Sequence, residues 1–404
     1  MAIKLKARQL MGQPKAYTIS EKVGGVRYKL SGACAASVPL GKVLDISPDL
    51  SLIAGEEKAK KHDLSELKAR DRLKEQIIDL HGYKDFKPEN VLFTNGTYEA
   101  NFLALSEAVE PGDEIIISRP CWYQFAAYNI EEKQYYFCCG GLHQNVKVHL
   151  LMRKAEENWK YDIERLKELA SSKTALIVVN SPNNPTGNVC TNDEMKAICD
   201  IARDCGAYVL HDEIYRGTEW DRPFSSPQAV NYYDKAVATN SLSKSLGFDG
   251  LRVGWLATRD RRLFERCRAV NEWLHMGQSG AISNLQVVVA LSALERKKFM
   301  ELLEYGRSLG KASWDEMERW MSKNKHVFNW RRPMAAFLSF ASYNLDIDSW
   351  TFCEKLAAEP YSTMIIPGIA YGFEKHLRIG VGRAKPEEVR AGMEQVEKLI
   401  STMK

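Results

Sequence analysis

Short apolar runs alternate with helical stretches through the middle of the chain, and this alternation constrains the fold most strongly. The runs are rich in β-favouring residues, and most are continuously apolar, as strands buried on both faces of a sheet are. They lie at residues 90–94, 114–118, 135–139, 175–180, 207–211, 236–240 and 252–257. Because strands that alternate with helices form mainly parallel sheets with helices on both faces, the sequence predicts a three-layer α/β/α fold.

The C-terminal part of the chain has a different pattern. Long helical stretches occupy residues 285–294 and 296–323, and β-favouring runs follow at 337–340 and 377–381. We therefore predict a large α/β domain at residues 48–285. A smaller α+β domain is predicted to combine residues 1–47 with residues 286–404.

The sequence of one helix in the α/β region contains capping signals at both ends. Thr191 and Glu194 have the spacing of a capping box, in which each side chain accepts a bond from the other residue's main-chain N–H. Gly206 is typical of the residue that closes a helix. We expect a helix between these two signals and a strand directly after Gly206.

The bulk composition excludes several functional classes. The 404 residues carry a formal net charge of +4. Over this length, that charge is too small to indicate a basic surface that binds nucleic acid or an anionic membrane. No apolar run approaches the roughly 20 residues that a membrane-spanning helix needs, and the first residues lack the apolar stretch of a signal peptide. We therefore expect a cytoplasmic protein with no nucleic-acid or membrane partner.

The nine cysteines are scattered and show neither a Cys-x-x-Cys pair nor the Cys/His spacing of a zinc site. We interpret them as reduced thiols, mostly buried. The sequence therefore predicts no metal site.

Four polar segments each follow a predicted strand, at the edge where ligands bind in α/β sheets. They are residues 94–100, 180–187, 211–215 and 240–247, the last followed by Arg252. Taken singly, each has an ordinary interpretation as a turn, a helix cap or a solvated lysine. The turn at 94–100 is also suited to hold an anion at a helix N-terminus, and a lysine near an arginine suits a carbonyl-binding amine beside a phosphate site.

Together, these segments resemble a known family. The motifs are Asn-Pro-Thr-Gly at residues 184–187, Asp-x-x-Tyr at 212–215, and Ser-x-Ser-Lys at 241–244 followed by Arg252. In this order and spacing they are similar to the class I and II aminotransferases of fold type I, which depend on pyridoxal 5′-phosphate (PLP). The resemblance covers nearly the whole chain and implies an enzyme that transfers an amino group from an L-amino acid to a 2-oxo acid.

The resemblance assigns the chemistry of the cofactor ring to four residues. Lys244 is similar to the lysine that forms a Schiff base with the cofactor and, once freed, shuttles the Cα proton. Asp212 is similar to the carboxylate that keeps the pyridine nitrogen protonated. Asn184 and Tyr215 are similar to the pair that hydrogen-bonds the phenolic oxygen of the ring. Lys244, Asp212 and Tyr215 are thus predicted to be catalytic.

The same resemblance implies an aromatic residue stacked on the ring and a phosphate cup. Trp122 matches the aromatic residue, with burial in the core and the neighbouring Tyr123 as alternatives. The cup is predicted to combine main-chain amides with hydroxyls and the planar fork of an arginine. Its residues are Gly96, Thr97, Ser241, Ser243 and Arg252.

Substrate contacts are implied near both ends of the chain. The Leu-Arg-Ile-Gly stretch at Arg378 resembles the segment whose arginine clamps the substrate α-carboxylate, with a surface salt bridge as the alternative. Asn184 and Gly32 are further predicted contacts, although the loop around Gly32 is equally suited to be a structural turn. The side-chain pocket has five unranked candidates. They are Tyr17, Tyr98, Tyr123, Arg216 and His275.

Two segments depart from the family's pattern. Residues 61–74 contain no Tyr or Gly, where the family has a tyrosine that reaches the phosphate of the partner subunit, and Ala335 and Ala336 replace a Gly-Gly pair. Because both segments shape the substrate pocket, a PLP-dependent lyase, cyclase or oxidase of specialised metabolism is the alternative function. A cofactor-binding regulatory module without catalysis is a rival of another class. The resemblance also implies a homodimer.

Overall fold

The computed structural model describes residues 12–43, 63–136, 145–275 and 281–403. The helices are α1 (Gly12–Lys22), α2 (Leu40–Val43), α3 (Asp63–His81), α4 (Thr97–Glu107), α5 (Ile163–Leu169), α6 (Asn192–Cys205), α7 (Arg261–Leu274), α8 (Asn284–Ala293), α9 (Arg296–Lys323), α10 (Ser349–Ala357) and α11 (Pro386–Ser401). The strands are β1 (Tyr28–Lys29), β2 (Ser31–Gly32), β3 (Val91–Asn95), β4 (Glu114–Arg119), β5 (Ala127–Asn129), β6 (Gln134–Tyr136), β7 (Lys147–Met152), β8 (Thr174–Asn180), β9 (Tyr208–Asp212), β10 (Ala236–Ser241), β11 (Val253–Thr258), β12 (Phe328–Asn329), β13 (Leu338–Tyr343), β14 (Thr363–Met364), β15 (Ile366–Pro367) and β16 (His376–Val381).

A seven-stranded sheet forms the middle layer of the large domain, with the strand order β3-β11-β10-β9-β8-β4-β7. The strand β11 runs antiparallel to both of its neighbours. The other described strands of the sheet are parallel to one another, which confirms the predicted mainly parallel sheet. Their carboxyl ends therefore lie along one edge.

Alternate residues of the central strands face two separate apolar cores. In β8, Ile177 and Val179 belong to the cluster that includes side chains of α6 and α8. Leu176 and Val178 belong to a second cluster, which includes side chains of α4 and α7. Each such buried side chain contributes roughly 1.5–3 kcal/mol relative to an exposed one. The helices on both faces confirm the three-layer α/β/α fold.

The run predicted at residues 135–139 is not a strand of this sheet. Its described part, within β6, pairs with β5 in a separate two-stranded hairpin, and residues 137–139 lie outside the described residues. The edge position beside β4 belongs to β7, which the sequence did not predict. Within β7 only Leu151 is fully buried, because an edge strand has partly exposed faces and so gives a weaker apolar signal.

Helix α6 has the predicted ends. The Thr191 hydroxyl accepts a bond of 3.2 Å from the Glu194 main-chain N–H, and the Glu194 carboxylate accepts one of 2.8 Å from the Thr191 N–H. Gly206 closes the helix with φ 78°, in the left-handed region that glycine adopts without a steric cost. The capping box and the glycine stop place β9 directly after this helix.

A second sheet joins both ends of the chain in the small domain. The strands β12, β13, β16 and β15 lie side by side, and β2 pairs in parallel with β16. Trp314, Phe352 and Met393 lie in the core of this domain, whereas Phe299 and Leu303 lie in the core of the large sheet. The chain thus passes from one core to the other within α9. The predicted domain boundary at residues 285 and 286 stays a prediction.

Within the described ranges, no helix has the combination of length and apolar character that crossing a bilayer requires.

Candidate active site

A cavity of about 220 Å³ opens where the carboxyl ends of the large-sheet strands face the small domain. It brings together most of the predicted site residues, which come from segments far apart in the sequence. Those that line it are Thr97, Trp122, Asn184, Asp212, Tyr215, Ser241, Ser243, Lys244, Arg252 and Arg378. The two predicted glycines, Gly96 and Gly32, lie beside the lining residues rather than among them.

Lys244 follows β10 and presents its amine to the cavity. Its main-chain carbonyl accepts a hydrogen bond of 2.9 Å from the Ala35 N–H, so the segment after β2 lies directly against it. Its Nζ atom donates to the Cys34 Sγ atom at 3.3 Å. The amine is thus held at the cavity wall by a weak, neutral acceptor, which leaves it available to a carbonyl compound.

Asp212 ends β9 as a fully buried carboxylate. Its two oxygens accept hydrogen bonds from the Ile214 N–H at 3.0 Å and from the Asn101 amide at 3.1 Å. Asn101 is itself oriented by the Thr239 hydroxyl, which donates to its carbonyl oxygen at 2.5 Å. Burial outweighs these bonds and raises the pKa of Asp212 from 3.8 to about 6. A cationic N–H in the cavity would satisfy this carboxylate.

Asn184 and Tyr215 place an amide and a phenol on the same cavity. The Asn184 N–H donates to the Asn180 side-chain oxygen at 3.0 Å, which fixes the loop after β8. Burial raises the pKa of Tyr215 well above its ordinary value, so the phenol keeps its proton at neutral pH. Both residues can therefore act as hydrogen-bond donors to an anionic oxygen.

A cup suited to a phosphate lies where β3 meets α4. Gly96 has φ 77°, and a Cβ atom at this position would collide with the Arg252 guanidinium. Arg252 donates to the Asn95 carbonyl at 3.0 Å. Thr97 begins α4, and its Oγ1 atom is buried without a hydrogen-bond partner within the described residues. An anion at this helix N-terminus would supply the missing acceptor.

Two serines extend the same cup from the end of β10. The Ser241 hydroxyl donates to the Ser243 hydroxyl at 3.0 Å and accepts from the Ser243 N–H at 3.3 Å. Both residues line the cavity beside Arg252. The predicted phosphate residues are therefore brought together, and their donors fit an anion.

Arg378 lies on β16 with 1% of its surface exposed, so the alternative of a surface salt bridge is wrong. Its guanidinium donates to the Tyr371 hydroxyl at 3.1 Å, the Tyr17 hydroxyl at 2.9 Å and the Ser31 carbonyl at 2.9 Å. All three acceptors are neutral, and no carboxylate in the described part of the chain pairs with this cation. Its Nε atom is buried without a partner among those residues. A buried guanidinium that has neutral hydrogen-bond partners but no counter-ion among the described residues is suited to a carboxylate ligand.

The remaining predicted contacts have different surroundings. Trp122 lines the cavity, with its ring centroid 4.2 Å from that of Tyr123. Gly32 lies in β2, where a Cβ atom would collide with the Gly382 carbonyl, so the close approach of two chain segments requires glycine there. Its neighbour Ala33 lines the cavity instead.

Two of the five pocket candidates line the cavity, namely Tyr17 and Tyr98. Arg216 is buried elsewhere, where it donates to main-chain carbonyls that include that of His81 at 3.2 Å. His275 is 2.8 Å from the Glu99 carboxylate and is not among the lining residues.

Sequence reasoning missed several residues of the site. They are Asn101, Gln124, Ile214, Asp249 and Tyr371, together with Cys34. Helical spacing could have found Asn101, because it lies four residues after Thr97 and so on the same face of α4.

The chain also matches known proteins. The family model described as aminotransferase class I and II covers residues 54–396. This chain belongs to that family. The aminotransferase is 28% identical to an aspartate aminotransferase of Pyrococcus horikoshii over 322 residues, which cover 78% of this chain and 76% of the other protein.

Two further relatives agree with the family. A (5-formylfuran-3-yl)methyl phosphate transaminase of Methanocaldococcus jannaschii is 26% identical over 340 residues, 81% of each chain. A solved PLP-dependent aminotransferase from Streptococcus suis covers 99% of both chains with a TM-score of 0.81 and 24% identity, which shows the fold. The predictions of fold type I and of an aminotransferase are confirmed. These comparisons support amino-group transfer and not the lyase, cyclase or oxidase alternative.

Proposed function

We propose that this aminotransferase binds PLP in the cavity described above and moves an amino group from an L-amino acid to a 2-oxo acid. The observation that carries the proposal is the set of Lys244, Asp212 and Arg378 around one cavity. When bound, PLP supplies an aldehyde that reacts with amines and a ring that accepts electrons from the substrate Cα.

Lys244 provides the amine and, at its Nζ atom, the base that moves the Cα proton. Asp212 would accept a hydrogen bond from the cationic ring nitrogen, and that positive charge would lower the pKa of the carboxyl, so that it stays ionised. Asn184 and Tyr215 donate to the phenolic oxygen. Trp122, which lines the cavity, would stack on the ring.

The phosphate is held by the residues at the start of α4 and the end of β10. The donors that support this assignment are the Thr97 hydroxyl, which has no partner among the described residues, the two serine hydroxyls and the Arg252 guanidinium. The N-terminus of α4 adds main-chain N–H groups and a favourable dipole.

Arg378 binds the substrate α-carboxylate. No carboxylate among the described residues forms an ion pair with this guanidinium, so the carboxylate of the substrate provides the counter-ion. Two oxygens on a planar fork fix the direction of the Cα–H bond, which is the geometry that proton transfer to Lys244 requires.

A single-turnover experiment under nitrogen tests this function. The loaded enzyme is mixed with one amino acid at a time, and absorbance follows the conversion of the cofactor from its pyridoxal to its pyridoxamine form. Conversion with release of a 2-oxo acid supports transfer, whereas release of ammonia with the pyridoxal form regenerated contradicts it. Lys244→Ala is expected to abolish conversion, and Lys196→Ala, at an exposed lysine of α6, is the matched control.

The proposal extends to assembly, substrate and location. We propose a homodimer with twofold symmetry, as is common for soluble enzymes, and light scattering that gives a fully active monomer contradicts it. A screen of amino donors and 2-oxo acids identifies the substrates. A cytoplasmic location stays a prediction, which cell fractionation tests.

A further inference from the structure

The Tyr371 hydroxyl lies between two residues of the proposed site. Tyr371 ends a short 3₁₀ turn, Gly368–Tyr371, that connects β15 to β16, and its side chain is fully buried. Its oxygen is 3.1 Å from the Arg378 Nη1 atom and 3.2 Å from the Asn184 Oδ1 atom. One side chain of the small domain thus contacts both the proposed carboxylate ligand and a proposed ligand of the cofactor ring.

The directions of these two bonds follow from chemistry. A guanidinium has only donors, so Arg378 donates and the Tyr371 oxygen accepts. Burial raises the pKa of Tyr371, so the phenol keeps its single proton. That proton is then donated to the remaining partner, the Asn184 carbonyl oxygen. The positive charge of Arg378 polarises the phenol and strengthens its donation.

The orientation of the Asn184 amide follows from the same chain of bonds. Because Oδ1 accepts from Tyr371, the NH₂ group of Asn184 must point the other way. Asn184 lines the cavity, and the described residues offer its Nδ2 atom no acceptor. The amide donor is therefore presented to the ligand.

Tyr371 is itself held from several sides. Its main-chain carbonyl accepts hydrogen bonds from the Arg119 guanidinium and, at 3.4 Å, from the Tyr135 hydroxyl. Its ring packs edge-on against that of Phe340, with centroids 5.6 Å apart. Gly372 ends the turn with φ 79°, and its N–H donates to the Ile369 carbonyl at 2.8 Å. The hydroxyl therefore has a fixed position.

We propose that Tyr371 is a positioning residue for amino-group transfer: its hydroxyl sets the Asn184 amide with the donor toward the phenolic oxygen of the cofactor and aligns Arg378 for the carboxylate. This assignment rests on the function proposed above. A hydrogen bond to an anionic oxygen favours the ionised form. Loss of the Tyr371 hydroxyl therefore makes the bound cofactor harder to deprotonate.

Tyr371→Phe tests the assignment in the PLP-loaded enzyme. The absorbance of the bound cofactor is titrated with pH, and we expect the midpoint to rise by about half to one pH unit, which corresponds to the loss of one ordinary hydrogen bond. The KM for the amino donor is expected to rise severalfold. Tyr343→Phe is the matched control, because it removes another buried phenol that does not line the cavity. The Tyr343 hydroxyl donates to the Ile347 carbonyl at 2.9 Å. The control is expected to titrate like the wild type.

A double-mutant cycle with Asn184→Ala tests whether Tyr371 acts through Asn184. Tyr371→Phe is expected to add little to the shift that Asn184→Ala produces alone. A midpoint unchanged in Tyr371→Phe, or a shift that adds in full to that of Asn184→Ala, overturns the assignment and leaves the proposed function standing. A wild type that shows no cofactor absorbance overturns both.

Discussion

The Asn101 amide donates a hydrogen bond of 3.1 Å to the Asp212 carboxylate, which ties the second turn of α4 to the end of β9. The same helix begins with Thr97 at the proposed phosphate cup. The two ends of the proposed cofactor site are therefore positioned by one rigid element.

Asn101→Ala is expected to lower kcat/KM about tenfold. The variant removes one of the two donors to Asp212, and a hydrogen bond to a charged group contributes about 1.5–3 kcal/mol. Steady-state kinetics check this, with Ser106→Ala on the same helix as control, since it removes a buried hydroxyl that donates to the Leu103 carbonyl at 3.1 Å and to the Glu107 carboxylate at 3.3 Å. Equal activity of the two variants would contradict a role of Asn101 at the site.

Asp212 is expected to make the stability of the cofactor-free protein depend on pH. Its pKa is raised from 3.8 to about 6 in the folded protein, so the folded state binds this proton more tightly than the unfolded state does. The resulting contribution to the free energy of unfolding is fully present below pH 3.8 and is lost as the pH rises through 6. Asp212→Asn lacks this titration. The difference in unfolding free energy between variant and wild type is therefore expected to grow by about 2 kcal/mol from pH 4 to pH 7.

Urea unfolding of the cofactor-free proteins at a series of pH values measures this difference. Parallel pH profiles for the wild type and Asp212→Asn would show that the carboxyl titrates normally. In the PLP-loaded wild type, this pH dependence of the unfolding free energy is expected to disappear, because the ring cation stabilises the ionised carboxylate.

Gly96→Ala is expected to weaken PLP binding at least tenfold. A methyl group at this position collides with the Arg252 guanidinium, and the combination of φ 77° with ψ 170°, which is essentially restricted to glycine, adds roughly 1–3 kcal/mol of backbone strain. Gly206→Ala is a close control, since its φ is 78° and no atom lies within 4 Å of the added Cβ. Gly206→Ala is expected to keep its affinity for PLP, and retention of that affinity by Gly96→Ala as well would disprove the contact.

Arg378→Lys is expected to raise the KM for both amino acid and 2-oxo acid about a hundredfold, while the bound cofactor keeps its absorbance. Lysine keeps the charge but lacks the planar fork that binds two carboxylate oxygens. The exposed Arg319→Lys serves as control. A variant with unchanged KM and reduced cofactor affinity would place Arg378 in a different role.

Local signals predicted those parts of the fold and site that depend on adjacent residues. The buried strands followed from their apolar runs, and α6 followed from Thr191 and Gly206. The predicted small-domain runs at 337–340 and 377–381 correspond to β13 and β16. Lys244, Asp212 and Asn184, which line one cavity, could be predicted because each belongs to a short motif at a strand end.

The rest depends on contacts between distant segments. Tyr371 lies 187 residues from Asn184, and no local pattern distinguishes it from an ordinary core tyrosine. Helical spacing from Thr97 identifies the face of α4 on which Asn101 lies, but the bond of Asn101 to Asp212 follows only once β9 is placed beside α4. The edge strand β7 was missed because its faces are partly exposed, which leaves its sequence with a weak apolar signal.

The pairing of β2 with β16 has a consequence for how the protein matures on the ribosome. The Ser31 carbonyl and Arg378 are separated by 347 residues, so at roughly 5–20 residues per second the N-terminal segment waits about 20 to 70 s for its partner strand. Lys244, Asp212 and the cup around Thr97 are all synthesised before that moment. We expect nascent chains to acquire the means to hold the cofactor first, and to become able to admit an amino acid only after the last strand has emerged.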